Sequence, residues 1–212
     1  MRLAKTAFYL WLALLGTPAW PITLEGWTEQ RFSLFSSNVW QQSPNQISVQ
    51  SDGTVSLLWK ALPPELWDVT QAEWRWSVSV GVPATDLTQK GGDDRNMALY
   101  FVFMPSAQAD AYQGASLTKL LRIPEVRVLM YVWGGEAERG AVLPSPYLGA
   151  RGRTLIRRPA GLGNFAESVD LAADYARAFG SNKTTLVGLA LSADSDDSRT
   201  QIRAQLSDLR LN

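Results

Sequence analysis

The chain has 212 residues, with 20 Lys and Arg balanced by 20 Asp and Glu, and it contains neither Cys nor His. That balance offers no electrostatic footprint for nucleic acid or an anionic membrane surface. The missing residue types exclude Ser-His-Asp and Cys-His catalysis and zinc sites built on His or Cys, so any chemistry falls to carboxylates, Lys, Arg, Tyr or Ser.

The chain opens with Arg2 and Lys5, an apolar run from Ala7 to Leu15, and small residues at Thr17 and Ala19. This is the layout of a secretory signal peptide cleaved after Ala19. The apolar run is about half the ~20 residues of a membrane-spanning helix. Residues 1–19 are therefore read as a leader and residues 20–212 as one exported domain, periplasmic or secreted, with no integral membrane segment after cleavage. Losing Arg2 and Lys5 leaves that domain slightly acidic. Without Cys it has no lipid-attachment residue and no disulfide, so its core must stabilise it.

"ISVQSDGTVSLLW" reads as a hairpin, with Ile47 and Val49 before an Asp52-Gly53 turn and Val55, Leu57 and Trp59 after it. In "AEWRWSVSV" the residues Ala72, Trp74, Trp76, Val78 and Val80 share one face while Glu73 and Arg75 share the other, the pattern of a half-buried strand. Met97–Phe103 is apolar without alternation, which predicts a central strand covered on both faces. "PSAQADAYQGASLTKLLRIP" holds a short helix or an irregular crossing. Strands follow at "VRVLMYVW" and "RTLIRR".

"GLGNFA", Gly161 to Ala166, matches a nucleotide-binding G-x-G-x-x-A pattern but lacks the βαβ surroundings that reading needs. It is taken as a loop ahead of a helix. In "DLAADYARAFG" the residues Leu171, Tyr175 and Phe179 are spaced four apart and Gly180 is a natural stop, which predicts a helix at about 170–179. Asp170 would cap it, or Asn164 and Glu167 would form a capping box one turn earlier. Strands at "TTLVGLALSA" and "TQIRAQLSDLRL" complete the chain. The last carries Ile202, Ala204 and Leu206 on one parity and Leu209 and Leu211 on the other, so a bulge is expected near Ser207-Asp208. The fold class is mainly β: a jelly-roll-like antiparallel β-sandwich with one short helix.

"EWRWSV", "KGGDDRNMALYFVF", "LMYVWGG" and "ESVDLAADYARAFG…TTLVGLALSADSDDS…AQLSDLRL" together resemble the bacterial family catalogued as domain of unknown function 3047, in order from Phe32 to Leu211. Phe165 stands where that family usually has Trp. The resemblance implies an exported bacterial protein with no assigned activity.

Two acidic groups are candidate metal ligands: Asp93-Asp94, beside Arg95, and Asp194, Asp196 and Asp197. Calcium takes six to eight oxygens, and such loops supply them. The bland alternative makes both groups polar turns, with Arg95 in a local ion pair. Adjacent residues at a strand start point opposite ways, so Asp93 and Asp94 are not expected to face one ligand. The Asp194–Asp197 stretch is no EF-hand, because Arg199 and Gln205 fall where Gly and Glu belong. Both groups end apolar strands, and whether they meet is open from sequence.

Aromatic rings suit stacking on sugar faces. Trp74 and Trp76 share an apolar face and read as core. Trp40, Trp67, Tyr131 and Trp133, with Arg95, are the candidate ligand-binding residues. Glu73 and Arg75 read as a surface ion pair. The preferred reading is a monomeric, non-catalytic binder of a glycan or other envelope ligand, with calcium as the one cofactor considered. The alternatives are a glycoside hydrolase using two of Asp93, Asp94, Glu73 and Asp196, and an envelope assembly protein whose partner is another protein.

Overall fold

A computed structural model describes residues 19–180 and 183–212. The predicted leader, Ala19 apart, lies outside them. In chain order the strands are β1 (Trp20–Pro21), β2 (Thr28–Arg31), β3 (Val39–Ser43), β4 (Gln46–Asp52), β5 (Val55–Ala61), β6 (Gln71–Val80) and β7 (Arg95–Pro105). They continue as β8 (Arg127–Trp133), β9 (Val142–Ser145), β10 (Gly149–Arg158), β11 (Gly163–Asp170), β12 (Thr184–Asp194) and β13 (Gln201–Leu211). Helices α1 (Ser106–Ala109) and α2 (Leu117–Leu120) follow β7, and α3 (Leu171–Phe179) follows β11. Among the described residues no helix is long and apolar enough to cross a membrane.

The strands form two sheets packed as a jelly-roll-like sandwich. A six-stranded sheet runs β11-β6-β13-β4-β3 with β1 beside β13, and a seven-stranded sheet runs β2-β5-β12-β7-β8-β10-β9. Pairing is antiparallel except between β8 and β10. Strand β6 shows the expected alternation, with Ala72, Trp74, Trp76 and Val78 buried and Glu73 and Arg75 exposed. Its tryptophans meet the opposite sheet through Tyr131 and Trp133, each at a ring separation of 5.6 Å. Such tilted and edge contacts suit the ring quadrupoles.

Strand β7 lies between β12 and β8, near the middle of its sheet, and is buried on both faces, as its unbroken apolar run predicts. Leu99 and Phe101 face the other sheet, while Tyr100 and Val102 face outward into a cavity. Helix α3 starts where Asp170 accepts the Ala173 amide at 2.8 Å and stops at Gly180, with Leu171 and Tyr175 buried. The bulge in β13 falls between Ser207 and Arg210 and returns Leu209 and Leu211 to the core.

Three expectations are corrected. Asp52-Gly53 is a corner rather than a hairpin turn, since β4 belongs to the six-stranded sheet and β5 to the seven-stranded one. Alternation marks which face is apolar and carries no information about which strand lies alongside. A second corner, between β12 and β13, straps to the first through Ser195 N–H to Thr54 C=O at 3.1 Å and Gly53 N–H to Thr200 C=O at 3.0 Å. In the "GLGNFA" segment Gly161 and Leu162 are loop, but Gly163 to Ala166 open strand β11, paired with β6 so that Phe165 sits opposite Trp76. Asn164 and Glu167 lie within that strand and form no capping box. Finally, Arg75 pairs with Asp208 at 3.6 Å, not with Glu73.

Candidate functional site

The outer face of the seven-stranded sheet is roofed by the β7–β8 connection, the β9–β10 turn and the loop before β7. Between floor and roof lies a cavity of about 470 Å³. Its floor is aliphatic, from Leu57 on β5, Ala190 on β12, Val102 on β7, and Val128 and Met130 on β8. This floor exists because these strands carry apolar residues on both faces, one set for the core and one for the cavity. Most of one end is charged, with Asp93, Arg95, Asp194, Asp196 and Asp197 all on the lining.

The strand ends bring the two acidic groups together. Asp194, closing β12, is the register partner of Arg95, opening β7. A bulge intervenes: the step from Ala98 to Arg95 on β7 is matched by the shorter step from Ser192 to Asp194 on β12. The extra residue switches the face to which Arg95 points, so it joins Tyr100 on the cavity side. Arg95 Nη1 then contacts Asp93 Oδ2 at 2.9 Å and Asp194 Oδ2 at 3.2 Å, while Nη2 donates to the Tyr100 hydroxyl at 3.1 Å. Tyr100 is in turn hydrogen-bonded to Ser192 Oγ at 2.9 Å, and Tyr147 donates its hydroxyl to Asp93 Oδ1 at 2.8 Å.

Asp93 and Asp94 diverge, as neighbours on an extended chain do. Asp94 is fully buried and turns the other way, accepting the Ser198 amide at 2.7 Å and the Asp197 amide at 3.3 Å. It thereby fixes the loop that carries Asp196 and Asp197. The carboxylates of Asp94, Asp196 and Asp197 offer oxygens that all lie within 4.8 Å of one another.

Electrostatics follow from burial and from this crowding of acids. Burial works against the Arg95 charge, but Tyr100, Asp194 and Asp93 outweigh it and hold the guanidinium above its ordinary pKa. Burial pushes Asp194 up to about 8, with Arg95 opposing and Asp196 and Asp93 adding to the rise. Asp197 is raised by partial burial and then by Asp196, Asp94 and Asp93.

The expected aromatic platform is absent from this site. Trp67 is buried with its indole N–H on the Leu62 carbonyl at 3.0 Å. Tyr131 and Trp133 are 0% and 1% exposed in the core between the sheets. Of the two faces of β8, the aromatic one points inward, because large flat rings fill a sandwich core most completely. None of these three rings has a face to offer a ligand. Trp40 stays half-exposed on strand β3, outside the cavity, donating to Ser56 Oγ at 2.9 Å. Glu73 lies on the outer face of the six-stranded sheet, across the sandwich from the cavity, so it cannot partner Asp93.

Sequence reasoning missed Tyr100, Tyr147 and Gly134. Gly134 has no room for a side chain, since a Cβ there would stand 2.7 Å from Arg95 Cβ and 2.9 Å from its Cα. The Gly pair directly after an apolar strand, in "YVWGG", was the available signal of a close backbone approach.

The family described as "Protein of unknown function (DUF3047)" matches residues 25–210. The chain belongs to it. In this DUF3047 protein Phe165 still packs edge-on against Trp133, with ring centroids 5.1 Å apart, beneath the Arg158 guanidinium. No curated protein matches the chain. Among solved structures it is similar to the xyloglucanase domain of NopAA, a type three effector from Sinorhizobium fredii, in complex with cellobiose. That likeness has 9% identity and a TM-score of 0.45, over 88% of this chain and 92% of the other.

Proposed function

We propose that this DUF3047 protein is an exported, non-catalytic binder of a small amphipathic ligand. The observation that carries the reading is the cavity of about 470 Å³, with its aliphatic floor and acidic end. Ligand sites are typically concave and mostly apolar, with a few convergent polar groups that orient the guest. Leu57, Val102, Val128, Met130 and Ala190 would seat an apolar body. Asp93, Asp196 and Asp197 would accept from hydroxyl or amine groups on its head. A sugar carrying a hydrophobic aglycone has this chemistry. A polysaccharide held by ring stacking fits less well, because Trp67, Tyr131 and Trp133 are core residues.

Hydrolysis of a glycoside is the second reading, favoured by two carboxylates in one cavity with unlike surroundings, Asp93 and Asp194. Against it, both approach the same Arg95 nitrogen. A glycosidase leaves the space between its carboxylates for the scissile bond, whereas here the guanidinium fills it.

Two measurements test this. A neutral apolar fluorophore, N-phenyl-1-naphthylamine, should bind the protein and be displaced by alkyl glucosides. The variant Ala190→Leu, which grows into the cavity, should weaken both by at least tenfold with an unchanged circular dichroism spectrum. No binding by the wild type, or binding unaffected by Ala190→Leu, overturns the reading. Release of aryl alcohol from aryl glycosides that Asp194→Asn abolishes would instead establish the hydrolase.

A further inference from the structure

The described residues gather five aspartates, Asp93, Asp94, Asp194, Asp196 and Asp197, at the cavity end where the largely buried Arg95 contacts Asp93 and Asp194. Arg95 is already committed to Asp93, Asp194 Oδ2 and Tyr100. The charges that act on Asp197 are those of Asp196, Asp94 and Asp93 against Arg95, so the acids are not balanced from within. Crowding like charges this closely costs free energy unless a cation stands among them.

A cluster of acids alone would be a solvated turn. What separates this one is Asp194, whose side chain is nine-tenths buried and whose Oδ1 is sealed from solvent without a hydrogen-bond partner. Buried polar atoms are nearly always paired, and an orphan acceptor marks a place where a donor or a cation belongs. The Asp196 carboxylate lies within hydrogen-bonding reach of the Asp194 carboxylate, so Asp194 adjoins one member of the Asp94, Asp196 and Asp197 group. Two ionised carboxylates cannot satisfy each other; a proton shared between them satisfies the pair when no metal is bound, and a positive ion takes that proton's place when one is.

We infer that Asp94, Asp196 and Asp197 form a calcium site at the polar end of the cavity, with Asp194 at its edge through Asp196. The donor set is all oxygen, which selects a hard cation over zinc or copper. Asp94 is held rigidly by the Ser198 and Asp197 amides. Asp196 and Asp197 are exposed on the loop that Asp94 anchors. A rigid base with adjustable outer ligands suits the six to eight oxygens and variable geometry of calcium, with water completing the shell. Magnesium demands a near-ideal octahedron and gives up its water reluctantly, so it binds more weakly here. An ion in this position would stand beside Asp194, Asp196 and Asp197 on the cavity lining and could meet a hydroxyl or anionic head group there.

The test is calorimetric titration of calcium chloride into chelator-treated, buffer-exchanged protein, with thermal melts in calcium and in magnesium. One saturable site is expected, with a melting temperature that rises with calcium concentration and rises less with magnesium. The Asp196→Asn/Asp197→Asn double variant changes only exposed side chains, so its fold is not at risk, and it should bind at least tenfold more weakly. Asp110→Asn, a change at an exposed aspartate outside the cluster, should bind as the wild type does. No heat and an unmoved melting temperature in the wild type overturn the site, as does a double variant that binds calcium as tightly as the wild type. Calcium is titrated alone, so this outcome is separate from that of the screen for the cavity's ligand.

Discussion

At the scale of single residues, the site rests on how neighbours on an extended chain diverge. Asp93 turns to Arg95 and Tyr147, while its neighbour Asp94 turns to the amides of the Asp197 loop. One doublet therefore serves two purposes: it neutralises a buried guanidinium and anchors a loop. Asp194 completes the set under different physics. Its pKa is about 8 when folded, against about 3.9 in an unfolded chain. The folded state then holds a proton that the unfolded state has released. Asp194 thus contributes its stability below the unfolded value, and loses it as pH rises through about 8. In calcium-free buffer the urea midpoint of the wild type should fall between pH 5 and pH 8 more than that of Asp194→Asn. Parallel curves for the two proteins would show that Asp194 does not titrate in this way.

At the scale of elements, the outer face of the seven-stranded sheet is shaped by small residues as much as by large ones. Gly188 on β12 lies under the Trp59 ring of β5, and a Cβ at that position would collide with it. Gly188→Ala should therefore cost about 1–3 kcal/mol through overpacking, measured as a lower urea midpoint with an unchanged slope. The same argument explains the bulge between Ser192 and Asp194. Without it, Arg95 would continue the alternation of β7 and point between the sheets, away from Asp93 and Asp194. A bulge is a local irregularity that re-aims one side chain and leaves the strand on either side intact.

At the scale of the molecule, the two sheets are joined by more than aromatic packing. Glu167 on β11, fully buried, receives Arg157 and Arg158 from β10 of the other sheet, at 2.9 and 2.7 Å. Arg139 approaches the same carboxylate at 3.5 Å. Removing one partner from a fully buried pair costs about 3–5 kcal/mol. Here Arg157 and Arg158 keep 22% and 21% of their side chains in solvent and can rehydrate. Glu167→Ala should accordingly cost less, about 1–3 kcal/mol, and the loss should persist in high salt because the carboxylate is shielded. A cost below about 0.5 kcal/mol would place the clamp among ordinary surface ion pairs.

Much of the architecture was legible along the chain. The alternation in β6, the two-sided burial of Met97–Phe103, the Asp170 cap with the Gly180 stop, and the bulge after Leu206 all arise from local chemistry. Local chemistry is what residue order records. The partner of each strand is a different kind of fact. Ile47, Val49, Val55 and Leu57 look alike whether Asp52-Gly53 closes a hairpin or turns a corner between sheets. Likewise β8 carries apolar residues on both faces, and only the packed sandwich sends Tyr131 and Trp133 inward and leaves Met130 to floor a cavity. The two acidic groups stand 100 residues apart in sequence, and no pattern in either one predicts the other. They meet because β7 and β12 pair antiparallel, which sets the start of one strand beside the end of the other. Residue order marks which side chains can accept an ion or bury a face; strand pairing, which depends on every other strand in the sheet, is what sets those aspartates side by side.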